Sequence, residues 1–208
     1  MNKLWDKLKK RVTINRKLFL FLFVLFIVGL LAGSLFTIIL NESDQSLVKD
    51  SLSNFMTSVS KHQLNIEQTL LPSLFSQIIY VLAVWLLGIS ILGLPIVLIL
   101  YFSKAFTLGF SIGSLLFHYQ AKGILLSFGY IFPHQIINFF LYTILTIYSL
   151  SLSLKLFDAL FHKKRLDFRF ILNKYLFILI LTLLGIIITC LLEMFVMPTM
   201  ISYLLTLF

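Results

Sequence analysis

The chain has 208 residues, 60% of them hydrophobic and only 12% charged, with a formal net charge of +9 and a mean hydropathy of +1.02. A soluble chain is about 45–50% apolar and about 25% charged, so here the apolar surplus must face lipid. Excluded on that ground are a soluble enzyme, a nucleic-acid-binding domain and a secreted disulfide scaffold, the one cysteine, Cys190, lying in an apolar run.

Residues 1–17 form a basic arm with Lys3, Lys7, Lys9, Lys10, Arg11, Arg16 and Lys17. The apolar run 18–40 that follows is long enough to cross a core of about 30 Å. It exceeds the about 7–15 apolar residues of a signal peptide, so it reads as a retained anchor. Residues 41–72 change character: Glu42, Asp44, Asp50 and Glu67 outnumber Lys49 and Lys61. Within this exterior loop Val48, Leu52, Phe55, Met56 and Val59 recur at helical spacing and predict an amphipathic helix. Its apolar face serves either a partner or the outer membrane surface, or else packs on the protein's own spans.

From Ser73 to Leu154 only Lys104 and Lys122 are charged, and three crossings fit: 73–92, 95–117 and 124–151. The first turn is expected at Gly93-Leu94-Pro95, where proline lacks a donor, with Ser103-Lys104 as the rival position. The second is expected near His118–Gly123. A basic loop, 155–169, leads to the last span, 170–197, and the apolar tail Thr199–Phe208 is expected along the outer surface beyond Pro198. Six basic residues lie between Lys155 and Lys174 and seven in the arm, which places both segments on the cytoplasmic side. The expected fold is an all-α integral membrane protein, a single domain of about five transmembrane helices. Its amino terminus is cytoplasmic and its carboxy terminus exterior. Anionic membrane lipids, rather than nucleic acid, are the expected partners of the basic clusters.

Small residues recur at four-residue spacing in Gly29-xxx-Gly33 and in Ala105-xxx-Gly109-xxx-Gly113. Such stripes let helices approach closely, either within the chain or in a homo-oligomer. Polar residues inside apolar runs mark the candidate site: Lys104, His134, Asn138 and Glu193. His134 and Asn138 share a helix face beside Pro133, which is expected to free a carbonyl of the preceding turn. With Glu193 they are placed in the outer half of the bilayer. They either tie helices together or line a proton or substrate pathway; one histidine and one carboxylate are too few for a metal. Lys104 reads as a snorkelling anchor or as one half of an ion pair. Gln77, Trp85 and Ser90 read as packing groups. His62, His118 and His162 read as surface histidines, and no Walker A, HExxH or GxSxG motif is present. No catalytic residue, cofactor or metal is expected.

The run Trp85-Leu86-Leu87-Gly88-Ile89-Ser90-Ile91-Leu92-Gly93-Leu94-Pro95, followed by Lys104-Ala105-Phe106-Thr107-Leu108-Gly109-Phe110, resembles the signature of the stage II sporulation protein M family. Phe132-Pro133-His134 with Asn138 is similar to the Pro-His-x-x-x-Glu stretch of the wider family, asparagine replacing the acid. Glu193 through Pro198 resembles its Glu-x-x-x-x-Pro ending, and Ala105 stands where glycine is common. The resemblance implies a non-enzymatic membrane anchor at the sporulation septum. Its implied partners are an amidase (stage II sporulation protein P-like) and a lytic transglycosylase (stage II sporulation protein D-like), which degrade septal peptidoglycan during engulfment. The loop 41–72 and the tail beyond Pro198 are the expected contact surfaces. A small transporter or permease subunit is the alternative, because broken helices with polar groups at the break build transport sites.

Overall fold

A computed structural model describes residues 16–60, 66–127, 132–162 and 168–195. The basic arm up to residue 15, His62 and the tail from 196 onward lie outside the described residues. Six α-helices follow in order: α1 Arg16–Ile39, α2 Glu42–Ser60, α3 Ile66–Gly88, α4 Gly93–Leu126, α5 Phe132–His162 and α6 Phe168–Phe195. Five carry segments long and apolar enough to cross a bilayer: Arg16–Ile39, Leu71–Gly88, Gly93–Gln120, Gln135–Phe161 and Arg169–Glu193. The protein is therefore a multi-pass membrane protein, with helices as the only regular structure among the described residues.

Contacts between helices establish their directions. Ser149 and Ser153 of α5 bond to Val84 and Gly88 of α3, so the two helices are parallel. Thr189 bonds to Asn138 and Tyr175 to Trp85, so α6 runs antiparallel to both. The start of α3, the start of α5 and the ends of α1 and α6 consequently share one end of the bundle with α2. The tight turn after α3 marks the other end. Helix α5 is the centre: 61% of its apolar segment is buried, against 17% for α1, whose Leu20, Val24, Val28, Leu31 and Leu35 remain exposed for lipid.

The two small-residue stripes meet each other. A Cβ built on Gly33 would stand 2.0 Å from the Phe106 carbonyl oxygen, and one on Gly109 would stand 2.0 Å from the Leu30 carbonyl oxygen. Gly29 faces Ala105 and Phe102, and Gly113 faces Ser34. Parallel α1 and α4 thus touch backbone to backbone, as small residues permit when lipid removes the hydrophobic driving force. Phe36 covers the seam, 5.5 Å from Phe106 and 6.3 Å from Phe110 between ring centroids. Since α4 occupies this stripe, it is not free for a second copy.

Several boundaries differ from the sequence expectation. Helix α3 stops at Gly88, ahead of Gly93-Leu94-Pro95, and α4 already starts at Gly93, with Pro95 in its first turn. Proline tolerates that position because the first amides of a helix lack partners in any case. The same reason corrects the fourth span: α5 runs over Phe132–His162, not 124–151, and Pro133 opens the helix rather than interrupting it. Residues 155–162, expected in the basic loop, continue α5. The chain is helical through Ser103-Lys104, the rival turn. Helix α4 breaks at Gln120, inside the expected His118–Gly123 segment, where φ is 49°. Gly123 then folds back, a Cβ there falling 2.2 Å from the Leu115 carbonyl oxygen.

The amphipathic helix of the loop is α2. Glu42 and Asp44 in its first turn complement the helix dipole, and the Gln45 amide donates to the Asn41 carbonyl. Val48 and Leu52 are half-buried, while the side chains of Phe55, Met56 and Val59 lie outside the described set.

Substituting Gly33 or Gly109 by valine is expected to destabilise the protein by about 1–3 kcal/mol, because no rotamer relieves a clash with backbone. Heating the purified protein in detergent measures this, with the lipid-facing Leu35→Val as control. Unchanged melting of both glycine variants would contradict the α1–α4 contact.

Candidate functional site

The last four carbonyls of a helix have no partner within it, and inside a bundle water cannot serve them. At the end of α3 every one is accounted for. Tyr175 of α6 donates its hydroxyl to the Trp85 carbonyl at 2.9 Å. The Ile89 and Ser90 amides return to Leu86 and Leu87 at 3.2 and 3.0 Å. Ser153 of α5 shares its one proton between the Gly88 and Ser90 carbonyls, both at 3.0 Å. Ser149, one turn earlier, donates to Val84 at 3.1 Å. The Trp85 and Tyr175 rings stack at 5.7 Å beside this layer. Glycine is required at its centre: a Cβ on Gly88 would fall 2.2 Å from both Ser149 Oγ and Tyr175 Oη, and one on Gly93 would fall 1.9 Å from the Leu87 carbonyl oxygen.

A second polar layer occupies the half of the bundle nearer α2. The Lys104 ammonium stands 4.9 Å from the centre of the Tyr80 ring and 5.9 Å from that of Tyr142, which meet edge to face at 4.7 Å. Charge at the middle of a span costs about 2.5–3.5 kcal/mol, and a desolvated aromatic face returns up to about 2. Tyr142 makes a long hydrogen bond, 3.4 Å, to Gln77 Oε1, and Gln77 donates to Ser73 Oγ. Tyr101 and Thr143 are 2.9 Å apart; Thr143 gives its proton to the Phe139 carbonyl, so Tyr101 is the donor between them. The Tyr80 hydroxyl is buried with no hydrogen-bond partner among the described residues.

The four candidate residues divide between two places. Lys104 joins the tyrosines. Asn138 is 1% exposed and accepts from Thr189 through Oδ1, tying α5 to α6. Glu193 lies one turn beyond Thr189 on α6. The same antiparallel register sets position 134 level with Glu193, but the His134 side chain lies outside the described set. No group of three or more His, Cys, Asp or Glu side chains that could hold a metal occurs among the described residues. Gln77, Trp85 and Ser90 do more than pack: each is a hydrogen-bond or stacking partner in one of the two layers.

Sequence reading missed the hydroxyls that matter most, Ser149, Ser153 and Tyr175. A signal existed: Asn138, Tyr142, Thr146, Ser149 and Ser153 fall at offsets that share one helix face. All five are buried, as a polar stripe on a central helix must be.

Gly88→Ala is expected to cost about 1–3 kcal/mol by overpacking. Part of this returns in the background of Ser149→Ala with Tyr175→Phe, which removes the two oxygens nearest the new methyl. Thermal unfolding of the single, double and triple variants reads the recovery, and strict additivity would refute the packing account.

A family model described as "Stage II sporulation protein M" matches residues 22–198. No curated protein and no solved structure matches the chain. The matched region takes in most of the first span, the other four spans whole, the turn after α3 and both polar layers, and the chain belongs to the stage II sporulation protein M family, a sporulation-linked family of membrane proteins.

Proposed function

We propose that this protein is a non-enzymatic membrane scaffold that anchors a peptidoglycan-degrading amidase and a lytic transglycosylase at the septum during engulfment. Family membership over residues 22–198 is the observation that carries the reading. The buried polar groups support it, because most of them hold helix to helix: Ser149, Ser153 and Tyr175 on α3, Tyr101 on α5, Thr189 on Asn138. Such a wall keeps its shape and leaves outward faces and the α2 end for partners. In this reading the α2 end is exterior, as the excess of basic residues in the arm and in 155–174 directs. Helix α2 then lies on the side where wall chemistry takes place, with the Leu47 side chain 65% exposed beside half-buried Val48 and Leu52.

A permease subunit is the second reading, favoured by one observation, the gathering of Lys104, Tyr80, Tyr142 and Gln77 at mid-span. The engagement of Asn138 with Thr189 weighs against it, since an amide held in place carries no proton.

Affinity capture of the tagged protein from crosslinked, detergent-solubilised membranes separates the two. An amidase and a transglycosylase recovered well above an untagged control are the expected result. Recovery of permease or ATPase subunits without any wall hydrolase would overturn the scaffold and favour the second reading. Val48→Glu with Leu52→Glu is expected to lower recovery about tenfold, equivalent to about 1.4 kcal/mol of lost contact, while the protein still inserts. Undiminished recovery would remove α2 from the contact surface.

A further inference from the structure

Lys104 carries a charge at mid-span whose contacts among the described residues are aromatic rings and not an acid. Its partners among the described residues are the faces of Tyr80 and Tyr142. Tyr80 lies nine residues from Leu71 and eight from Gly88 in an apolar segment bounded by those two, about 13 Å from either end. The ammonium therefore stands near the middle of the bilayer. It is only half-buried, at the edge of an open face of α4. Next to it, Ser103, Thr107 and Ser111 recur at four-residue spacing, the first two exposed. Their hydroxyl needs are met on their own helix, Thr107 donating to the Ser103 carbonyl at 2.9 Å and Ser111 to the Thr107 carbonyl at 3.0 Å. Small side chains with satisfied hydroxyls form a track along which another helix can approach closely. Ile96 and Ile99, 44% and 62% exposed, extend the same face.

Depth and charge select the occupant. A cation in a span is satisfied by pairing with an acid. Lipid phosphates lie at the surface of a core about 30 Å thick, about 15 Å from this ammonium. A second copy of the chain does not provide the acid either. Among the described residues of the apolar segments the acidic side chains are Asp158 and Glu193, each in the last turn of its segment. What fits is a carboxylate fixed at mid-bilayer depth by another polypeptide. We propose that the Lys104, Ser103, Thr107 and Ser111 face of α4 receives a transmembrane helix of a different protein, whose aspartate or glutamate at that depth pairs with Lys104. The inference deepens the scaffold reading and rests on it for the existence of a membrane-anchored partner.

The test places a photo-crosslinking amino acid at position 107 of the full chain in native membranes and identifies the crosslinked peptide by mass spectrometry. Expected is an apolar segment of about 20 residues from another protein, with one Asp or Glu near its centre. Its yield should fall at least about tenfold, equivalent to about 1.4 kcal/mol, in Lys104→Gln and persist in Lys104→Arg. Lys104→Asp combined with the acid-to-lysine change in the captured segment should restore it. Ile99→Trp, which only adds bulk on the exposed face, should also lower it. Crosslinks to lipid alone, to a second copy, or to a segment whose yield ignores Lys104→Gln would overturn the proposal. If hydrolases are still captured while the crosslink ignores Lys104→Gln, the scaffold stands and the ion pair falls. If the acidic segment is found but no hydrolase is captured, the pairing stands and the hydrolase reading falls.

Discussion

Ending a helix inside a protein wall imposes one demand on the whole bundle: the carbonyls at its last turn need donors that water does not supply. Each buried polar group left unpaired costs about 1–3 kcal/mol, and a domain's net stability is only about 5–15. Four orphans at the end of α3 would consume most of it. The turn Ile89–Leu92 satisfies two of them locally, and the other two depend on Ser153 and Tyr175, far along the chain. The hairpin between α3 and α4 is therefore complete only when α5 and α6 have docked. Gly88 and Gly93 are the condition for that docking, because the donors and the returning chain occupy the space a Cβ would take.

The bundle combines this polar seam with an apolar one of opposite character. Between α1 and α4 almost nothing polar is exchanged; contact comes from backbones brought together over Gly29, Gly33, Ala105, Gly109 and Gly113. Dispersion across many short contacts holds that pair. Helix α5 touches both systems: Phe139 meets Phe26 of α1 at 4.0 Å and Tyr101 of α4 at 5.0 Å, while its serines grip α3. The result is a wall of packed helices, with α1 contributing a broad apolar surface on one side and α4 an open polar edge on another.

Much of this was legible in the sequence because membrane insertion makes length and composition decisive. Five apolar runs, the amphipathic α2 and the two small-residue stripes could be read from residue spacing alone. What spacing did not reveal was which stripe met which. Gly29-xxx-Gly33 and Ala105-xxx-Gly109-xxx-Gly113 suit a dimer as well as a hairpin until the register between α1 and α4 is known. Boundaries near proline were misplaced for a definite reason. Pro95 is expected in a turn and Pro133 inside a span, whereas both stand in first turns, where a missing amide donor costs nothing. The hydroxyls of Ser149, Ser153 and Tyr175 went unread because each looks unremarkable alone. Their meaning lies in carbonyls on another helix.

Asn138 and Lys104 show how the remaining polar residues divide. The resemblance that places an acid at position 138 in the wider family would put a carboxylate at a fully buried site, where the charge is costly unless paired. In this chain the amide oxygen accepts a hydrogen bond from the Thr189 hydroxyl without carrying charge, so the side chain serves as a strut between α5 and α6. Lys104 has not been neutralised in the same way. Two tyrosine faces lower the cost of its charge, yet an aromatic quadrupole does not replace a counterion. The polar group at one intramembrane position is thus satisfied within the fold, whereas the charge at the other stands half-exposed beside a small-residue track, where a partner helix can supply the counterion we propose.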